Sequence, residues 1–406
     1  MENLIEDNSI FDITNFESAG FKGIYLDADY RLSTGDMCYL PLEKQLIFSI
    51  NNYKDTSDIE SHLGEIDKYK DEFCYIKMNT ENLETSCLVE DEGVPYDLFE
   101  GPDHKAWCMM GYTKAGSNSK DVCLPLDSRD GIKECKEMRS VGEHIFAQGE
   151  RVLAYTDGTF NKKPTKIAQY KFSKDGSFKS IKRIKIEEPQ IIKCIHNEEG
   201  VHAFSSLDEN KILHRLLDYK GVELKRRELS TSGIFLDGSF VKNSYLIELR
   251  NYEETVGDEI NGMNFIVKKP GEIFYKVYAA DGSKVEEVKL FELNELCAIG
   301  SICPAKINND TYVVNMVYGS DEGPVKLGNG WFVVSKGNLK ECWLQNREMN
   351  GYVDLVSGQN ITFAMTNMML YEVKPCGDGY AVYFDGLRDE KNRNRAAVIV
   401  KEFRYE

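Results

Sequence analysis

A chain of 406 residues, 42% of them hydrophobic, has material for two or three ordinary domains or for one large repeat domain. Its 50 Lys and Arg stand against 67 Asp and Glu, a formal charge of −17, which argues against non-specific binding of nucleic acid or of an anionic membrane by the molecule as a whole. Eleven scattered cysteines with no Cys-x-x-Cys pair fit reduced thiols in a cytoplasmic protein better than a disulfide framework.

Taken in chain order, residues 1–20 read as an acidic N-terminal extension without the basic start and apolar run of a secretory signal. No window reaches the length of apolar sequence that a spanning helix needs, so no membrane partner is expected. Residues 21–29, "FKGIYLDAD", read as a strand. From there the chain alternates apolar-rich strands with tight turns, and its 22 Tyr and 20 Phe favour β-structure. One hairpin type recurs with turn anchors at Asn82, Gly131, Gly176, Gly221, Gly282 and Gly337, 45 to 61 residues apart. Gly or Asn at such an anchor supplies the positive φ of a tight hairpin.

A second hairpin precedes each of these. "YDLFEGPDHKAWCMMGY", "HIFAQGERVLAYTDG", "IIKCIHNEEGVHAFSSLDE", "GIFLDGSFVKNSYLIEL" (with a longer turn), "ICPAKINNDTYVVNMVYGSD" and "YEVKPCGDGYAVYFDG" follow that pattern. Each period therefore holds four short strands, the signature of a β-propeller. The expected fold is all-β: residues 21–406 form a single seven-bladed propeller of four-stranded blades. Blades fall at about 31–91, 92–140, 141–188, 189–230, 231–292, 293–350 and 351–406. The last blade is one strand short, and 21–29 is expected to complete it, which would close the ring and remove free sheet edges.

The aromatic-x-apolar-x-x-Asp-Gly run of Tyr170 to Gly176 resembles strand-turn patterns of β-propeller repeat proteins in general. That resemblance covers nearly the whole chain at the level of pattern. No Trp-Asp blade ending, kelch glycine pair or Asp-box spacing is present, so it carries over no functional residue.

Variable loops gather between second and third strands, with long insertions at 51–71 and 251–270. An acidic residue recurs just past the second strand: Asp157, Asp208, Asp321 and Asp385, with Glu209, Glu253, Glu254 and Glu322 beside them. Together they would make an acidic face for a protein partner with a basic surface. Ordinary turn chemistry explains the same residues. The segment 161–227 is opposite in sign, with 16 Lys and Arg against 9 Asp and Glu. Its basic flank comprises Lys179, Lys182, Arg183, Lys185, Lys225, Arg226 and Arg227, and charged edge strands also serve to block aggregation.

No catalytic constellation is legible. The six histidines lack zinc spacing, though His196 and His202 flank one turn and could approach across strands. Cys194 and His196 share a strand face by spacing, and packing accounts for them. "KLGNGW" lacks the lysine and helix of a phosphate loop, so no cofactor or metal is expected. The reading is a non-catalytic protein-binding scaffold or assembly subunit. Two alternatives stand beside it: a propeller hydrolase or lyase with a site at the channel mouth, and an inhibitor that neutralises a basic partner.

Overall fold

Runs of β-branched and aromatic residues punctuated by Gly, Asn and Asp build an almost wholly β molecule. The computed structural model describes residues 18–27, 37–51, 73–91, 94–112, 120–126, 144–148, 151–155, 166–172, 178–185, 191–197, 200–208, 210–218, 220–230, 234–241, 243–250, 253–260, 263–269, 271–278, 284–293, 298–308, 311–320, 326–336, 338–346, 349, 351–363, 369–388 and 394–403.

Strand β1 (Lys22–Asp27) comes first. An antiparallel sheet follows in sequence order, β2 (Met37–Leu40), β3 (Gln45–Asn51), β4 (Phe73–Asn79) and β5 (Thr85–Asp91). Next come three strands, β6 (Val94–Glu100), β7 (Ala106–Tyr112) and β8 (Lys120–Pro125), then four, β9 (His144–Gln148), β10 (Arg151–Tyr155), β11 (Lys166–Phe172) and β12 (Phe178–Lys185). The following sheet holds β13 (Ile191–Asn197), β14 (Gly200–Asp208), β15 (Lys211–Leu217) and β16 (Glu223–Ser230). After β17 (Ile234–Val241) and β18 (Asn243–Arg250), a separate hairpin of β19 (Glu253–Ile260) and β20 (Met263–Lys269) intervenes. Then β21 (Gly271–Tyr278) and β22 (Lys284–Leu293) complete the sheet β17-β18-β21-β22. Six strands form the next sheet: β23 (Ala298–Asn308), β24 (Thr311–Ser320), β25 (Lys326–Ser335), β26 (Asn338–Asn346), β27 (Gly351–Asp354) and β28 (Asn360–Thr362). Last are β29 (Met369–Cys376), β30 (Gly379–Arg388) and β31 (Asn394–Glu402), with β1 added outside them in the order β1-β31-β30-β29.

The chain divides into two compact units. One comprises Met1–Thr156, Lys166–Ile184 and Ile361–Glu406, the other Asp157–Thr165 and Lys185–Asn360.

In the first unit, β3 and β4 read as near-continuous apolar runs because both of their faces are covered. Phe48, Ile76 and Met78 pack on one side against Ala381, Tyr383 and Val398 of the last sheet. On the other side, Ile47 and Tyr75 meet Leu98, Ala106 and Cys108 of the β6–β8 sheet. The first strands of the sheets are neighbours in the order β29, β2, β6, β9. Strand β1 pairs with β31 from Lys22↔Val400 to Asp27↔Arg395. Just ahead of it, the buried Phe21 ring stands edge-on to Tyr380 at 5.9 Å and carries Lys401 Nζ at 4.8 Å above its face. Burying such a ring contributes about 1.5–3 kcal/mol toward holding the strand in place.

At the turn after β4, Asn79 Oδ1 accepts from the backbone N–H groups of Glu81 and Asn82. The positive φ expected at Asn82 falls instead on Leu83, at 63°. Leu83 N–H is bonded to Asn79 O, and Asn79 N–H returns to Glu84 O, so the ladder itself holds Leu83 in a conformation costing about 1–2 kcal/mol. The anchors Gly131, Gly176, Gly282 and Gly337 lie outside the described residues, as does 52–71.

In the second unit, β14 and β15 are buried along most of their length, whereas β16 is exposed almost throughout. Gly221, at φ 76°, makes the turn between β15 and β16, where Asp218 Oδ1 accepts from the N–H groups of Lys220 and Val222. First strands are again neighbours, β13 with β17 and β17 with β23. Three details differ from the sequence reading. The 251–270 insertion is a paired hairpin rather than a loop. Strands β17 and β18 are separated by residue 242 alone, in place of the longer turn expected, and Asp237-Gly238 sits inside β17 beside a bulge. Residues 351–362, counted from sequence with the last blade, extend the β23–β26 sheet through the pairing of β26 with β27.

Candidate functional site

The basic flank resolves into two strands, each at the end of its own sheet order. Lys179, Lys182, Arg183 and Lys185 lie along β12, the outer strand of the first unit's β12-β11-β10-β9 sheet. With Lys166 and Lys171 of β11, these two strands carry six cations and no Asp or Glu. Strand β16 of the second unit is different. Its exposed Lys225 and Arg226 are interleaved with Glu223 and Glu228, and Arg226 and Lys211 approach those carboxylates at 3.9 and 3.7 Å. Exposed pairs at such distances hold about 0–1 kcal/mol each, enough to moderate the field of the strand without fixing it.

Arg227 turns toward the protein. Its Nε–H donates to Nδ1 of His214 at 3.0 Å, and His214 Nε2 meets His202 Nδ1 at 3.0 Å, both imidazoles being buried. The two rings stack at 5.2 Å between centroids, and Phe204 stacks on His214 at the same distance. A guanidinium cannot accept, so His214 keeps its proton on Nε2 and passes a hydrogen bond to His202, whose own proton sits on its Nε2. Burial, reinforced by Arg227 and Lys225, pushes His202 down to about 3. His214 is pushed down to about 2 by burial, then by His202, Arg227 and Lys225. Both rings are neutral at physiological pH. His196 is not part of this group: it pairs in register with Val201, while Ile195 faces His202. His196 and His202, which could have met across strands, therefore stand at positions of opposite parity in the ladder.

Sequence reasoning missed this relay because His214 lies on the next strand, and only the register Phe204↔His214↔Arg227 brings the three positions together. It also missed two buried carboxylates in the sheet β23–β28. Glu341 Oε2 accepts from Trp343 Nε1 at 2.7 Å, within a stack of Trp331, Trp343 and Tyr352. Asp354 accepts from the N–H groups of Cys342, Val356 and Ser357 and from the Ser357 hydroxyl. These groups specify packing.

Of the acidic set, Asp208 is exposed at the end of β14, where its Oδ1 accepts from Asn210 N–H at 2.8 Å and so shapes the turn into β15. Asp385 lies near the end of β30, in register with Met369 and beside a bulge toward β31. Glu253 and Glu254 stand in register with Lys269 and Lys268 across the β19–β20 hairpin. Asp157, Glu209, Asp321 and Glu322 lie outside the described residues. Among the described residues, no group of three or more His, Cys, Asp or Glu could hold a metal ion, and no helix is long and apolar enough to cross a membrane.

No protein-family model matches the chain, and no curated protein does. Solved structures do. Sqt1 from Chaetomium thermophilum bound to the N-terminus of the ribosomal protein L10 is 8% identical, with 93% of this chain and 98% of that chain covered and a TM-score of 0.40. A putative 6-phosphogluconolactonase from Bacteroides uniformis is 12% identical over 79% of this chain and 97% of that one, at a TM-score of 0.34. A eukaryotic initiation factor structure is 10% identical over 92% of each chain, at a TM-score of 0.37. Likeness at this level decides nothing about function.

Proposed function

We propose that the protein is a non-catalytic, cytoplasmic binding scaffold of propeller type, which docks a protein partner of basic surface on the acidic ends of its second strands. The propeller reading is supported by consecutive antiparallel sheets, five of them four-stranded among the described residues, whose first strands are neighbours within each unit. The pairing of β1 with β31 supports a ring completed by its N-terminal strand.

One pattern carries the docking surface: an aspartate stands at, or within three residues of, the end of four second strands. Asp157 follows β10 and Asp321 follows β24, while Asp208 ends β14 and Asp385 lies close to the end of β30. Like charges repeated at corresponding chain positions, three of them within the second unit, favour a basic partner more than a single turn-forming Asp would. Glu253 and Glu254 contribute least, since lysines oppose them across the hairpin.

The test is capture from native extract at low and raised salt, by wild type and by a variant carrying Asp157→Asn, Asp208→Asn, Asp321→Asn and Asp385→Asn. The proposal expects a stoichiometric partner on the wild type that leaves as salt rises, and a several-fold loss of it on the variant. A partner held equally by both would place the contact on another surface.

A further inference from the structure

Cys74 on β4 and Cys87 on β5 hold their sulfurs 3.1 Å apart with no disulfide between them. Strand spacing alone would separate them. Cys74 lies opposite Glu90, and in a regular ladder Cys87, three residues from Glu90, would face the other way. A bulge removes that parity: Tyr75 pairs with Val89 and Ile76 with Cys87, so Leu88 is the extra residue. The packing follows the register. Cys74, Ile76 and Cys87 share the cluster of Phe48 and Tyr383, whereas Leu88 packs with Ile47 and Tyr75 on the opposite face.

We propose that Cys74 and Cys87 form a thiol–disulfide exchange site for low-molecular-weight disulfides such as glutathione disulfide. Access is unequal, since Cys74 is buried and Cys87 only partly so. The Cys87 thiolate attacks one sulfur of the small disulfide, whose S–S bond breaks to release one thiolate and leave a mixed disulfide. Cys74 Sγ, held against Cys87 Sγ by the fold, then attacks it and expels the second thiolate, its proton passing to that departing group. Two protein thiols are thereby oxidised by two electrons, and the small disulfide is reduced to two thiols. Cys342 and Cys376 serve as internal controls, because burial pushes both thiols up to about 12 and leaves almost no nucleophilic thiolate.

The experiment treats the folded full chain with glutathione disulfide at neutral pH, alkylates the remaining thiols and maps peptides by mass spectrometry. Wild type should yield a Cys74–Cys87 cross-link with no glutathione retained. Cys74→Ala, a small apolar replacement in an apolar cluster, should stop at one glutathione on Cys87. Cys87→Ser should leave Cys74 reduced. Near-ultraviolet circular dichroism on each variant confirms the native fold before treatment. Wild type that retains glutathione without the cross-link, or a folded Cys74→Ala whose Cys87 stays unmodified, would overturn the proposal.

Discussion

Arg227 reaches from an exposed strand to hold Nδ1 of His214 at 3.0 Å, and that bond fixes the proton positions of two buried imidazoles. Its neighbour Arg226 points at solvent and a distant Glu223. Two adjacent arginines of one basic run thus have different work. Arg227→Leu should cost the second unit about 1–3 kcal/mol by stranding a buried acceptor, while Arg226→Ala should stay within about 0.5 kcal/mol. Denaturant unfolding of the two variants measures the contrast, and equal effects would mean that the His214 contact holds nothing.

The same pair makes a pH signature. Both histidines have folded values below the ordinary 6.5, at about 3 for His202 and about 2 for His214. Above 6.5 both states are neutral and the pair is indifferent to pH. As pH falls below 6.5 the unfolded chain takes up protons that the folded one refuses, so stability is lost, at about 1.4 kcal/mol per pH unit for each histidine. Unfolding at pH 7, 6 and 5 should show a shallower loss for His214→Gln than for wild type. Parallel curves would mean that the rings titrate freely in the folded state.

How much of this was legible follows from which interactions are local. Hairpins announced themselves, because a turn residue and its flanking strands are contiguous: Gly221 is the expected anchor and has the expected positive φ. Strand 21–29 also found its place, because the last group of strands lacked an outer member that β1 supplies. What stayed hidden depends on register. The insertion at 251–270 contains Asn261-Gly262 between two opposable runs, a strong hairpin signal within what reads by length as a loop. The relay of His202, His214 and Arg227 needs three strands aligned, and the Cys74–Cys87 contact needs a bulge, which spacing alone cannot reveal.

Closure of the last sheet leaves little room at Gly23. A Cβ there would stand 2.7 Å from Ile399 Cγ2 and 3.1 Å from Val398 O. Gly23→Val should therefore cost about 1–3 kcal/mol by prising β1 from β31, with hydrogen exchange rising first along β31. Unchanged protection of Val398 and Val400 amides would show that the pairing is not what orders that edge.

Asp354 carries the β27–β28 hairpin through four donors, among them the buried Cys342 N–H. Asp354→Ala should cost about 2–4 kcal/mol and open the exposed Leu355-Val356 tip to proteolysis, whereas Ser357→Ala, which removes one of the four, should cost about 1 kcal/mol. Limited digestion with an apolar-specific protease separates the two variants, and an uncut tip in Asp354→Ala would refute the assignment.

The docking proposal stands or falls on which carboxylates a bound partner covers. Carbodiimide-driven carboxyl footprinting, read by mass spectrometry with and without the captured partner, measures that directly. Protection of Asp157, Asp208, Asp321 and Asp385, with Glu253 and Glu254 labelled equally in both states, is the expected result. Unchanged labelling of the four aspartates, with a partner demonstrably bound, would contradict the account.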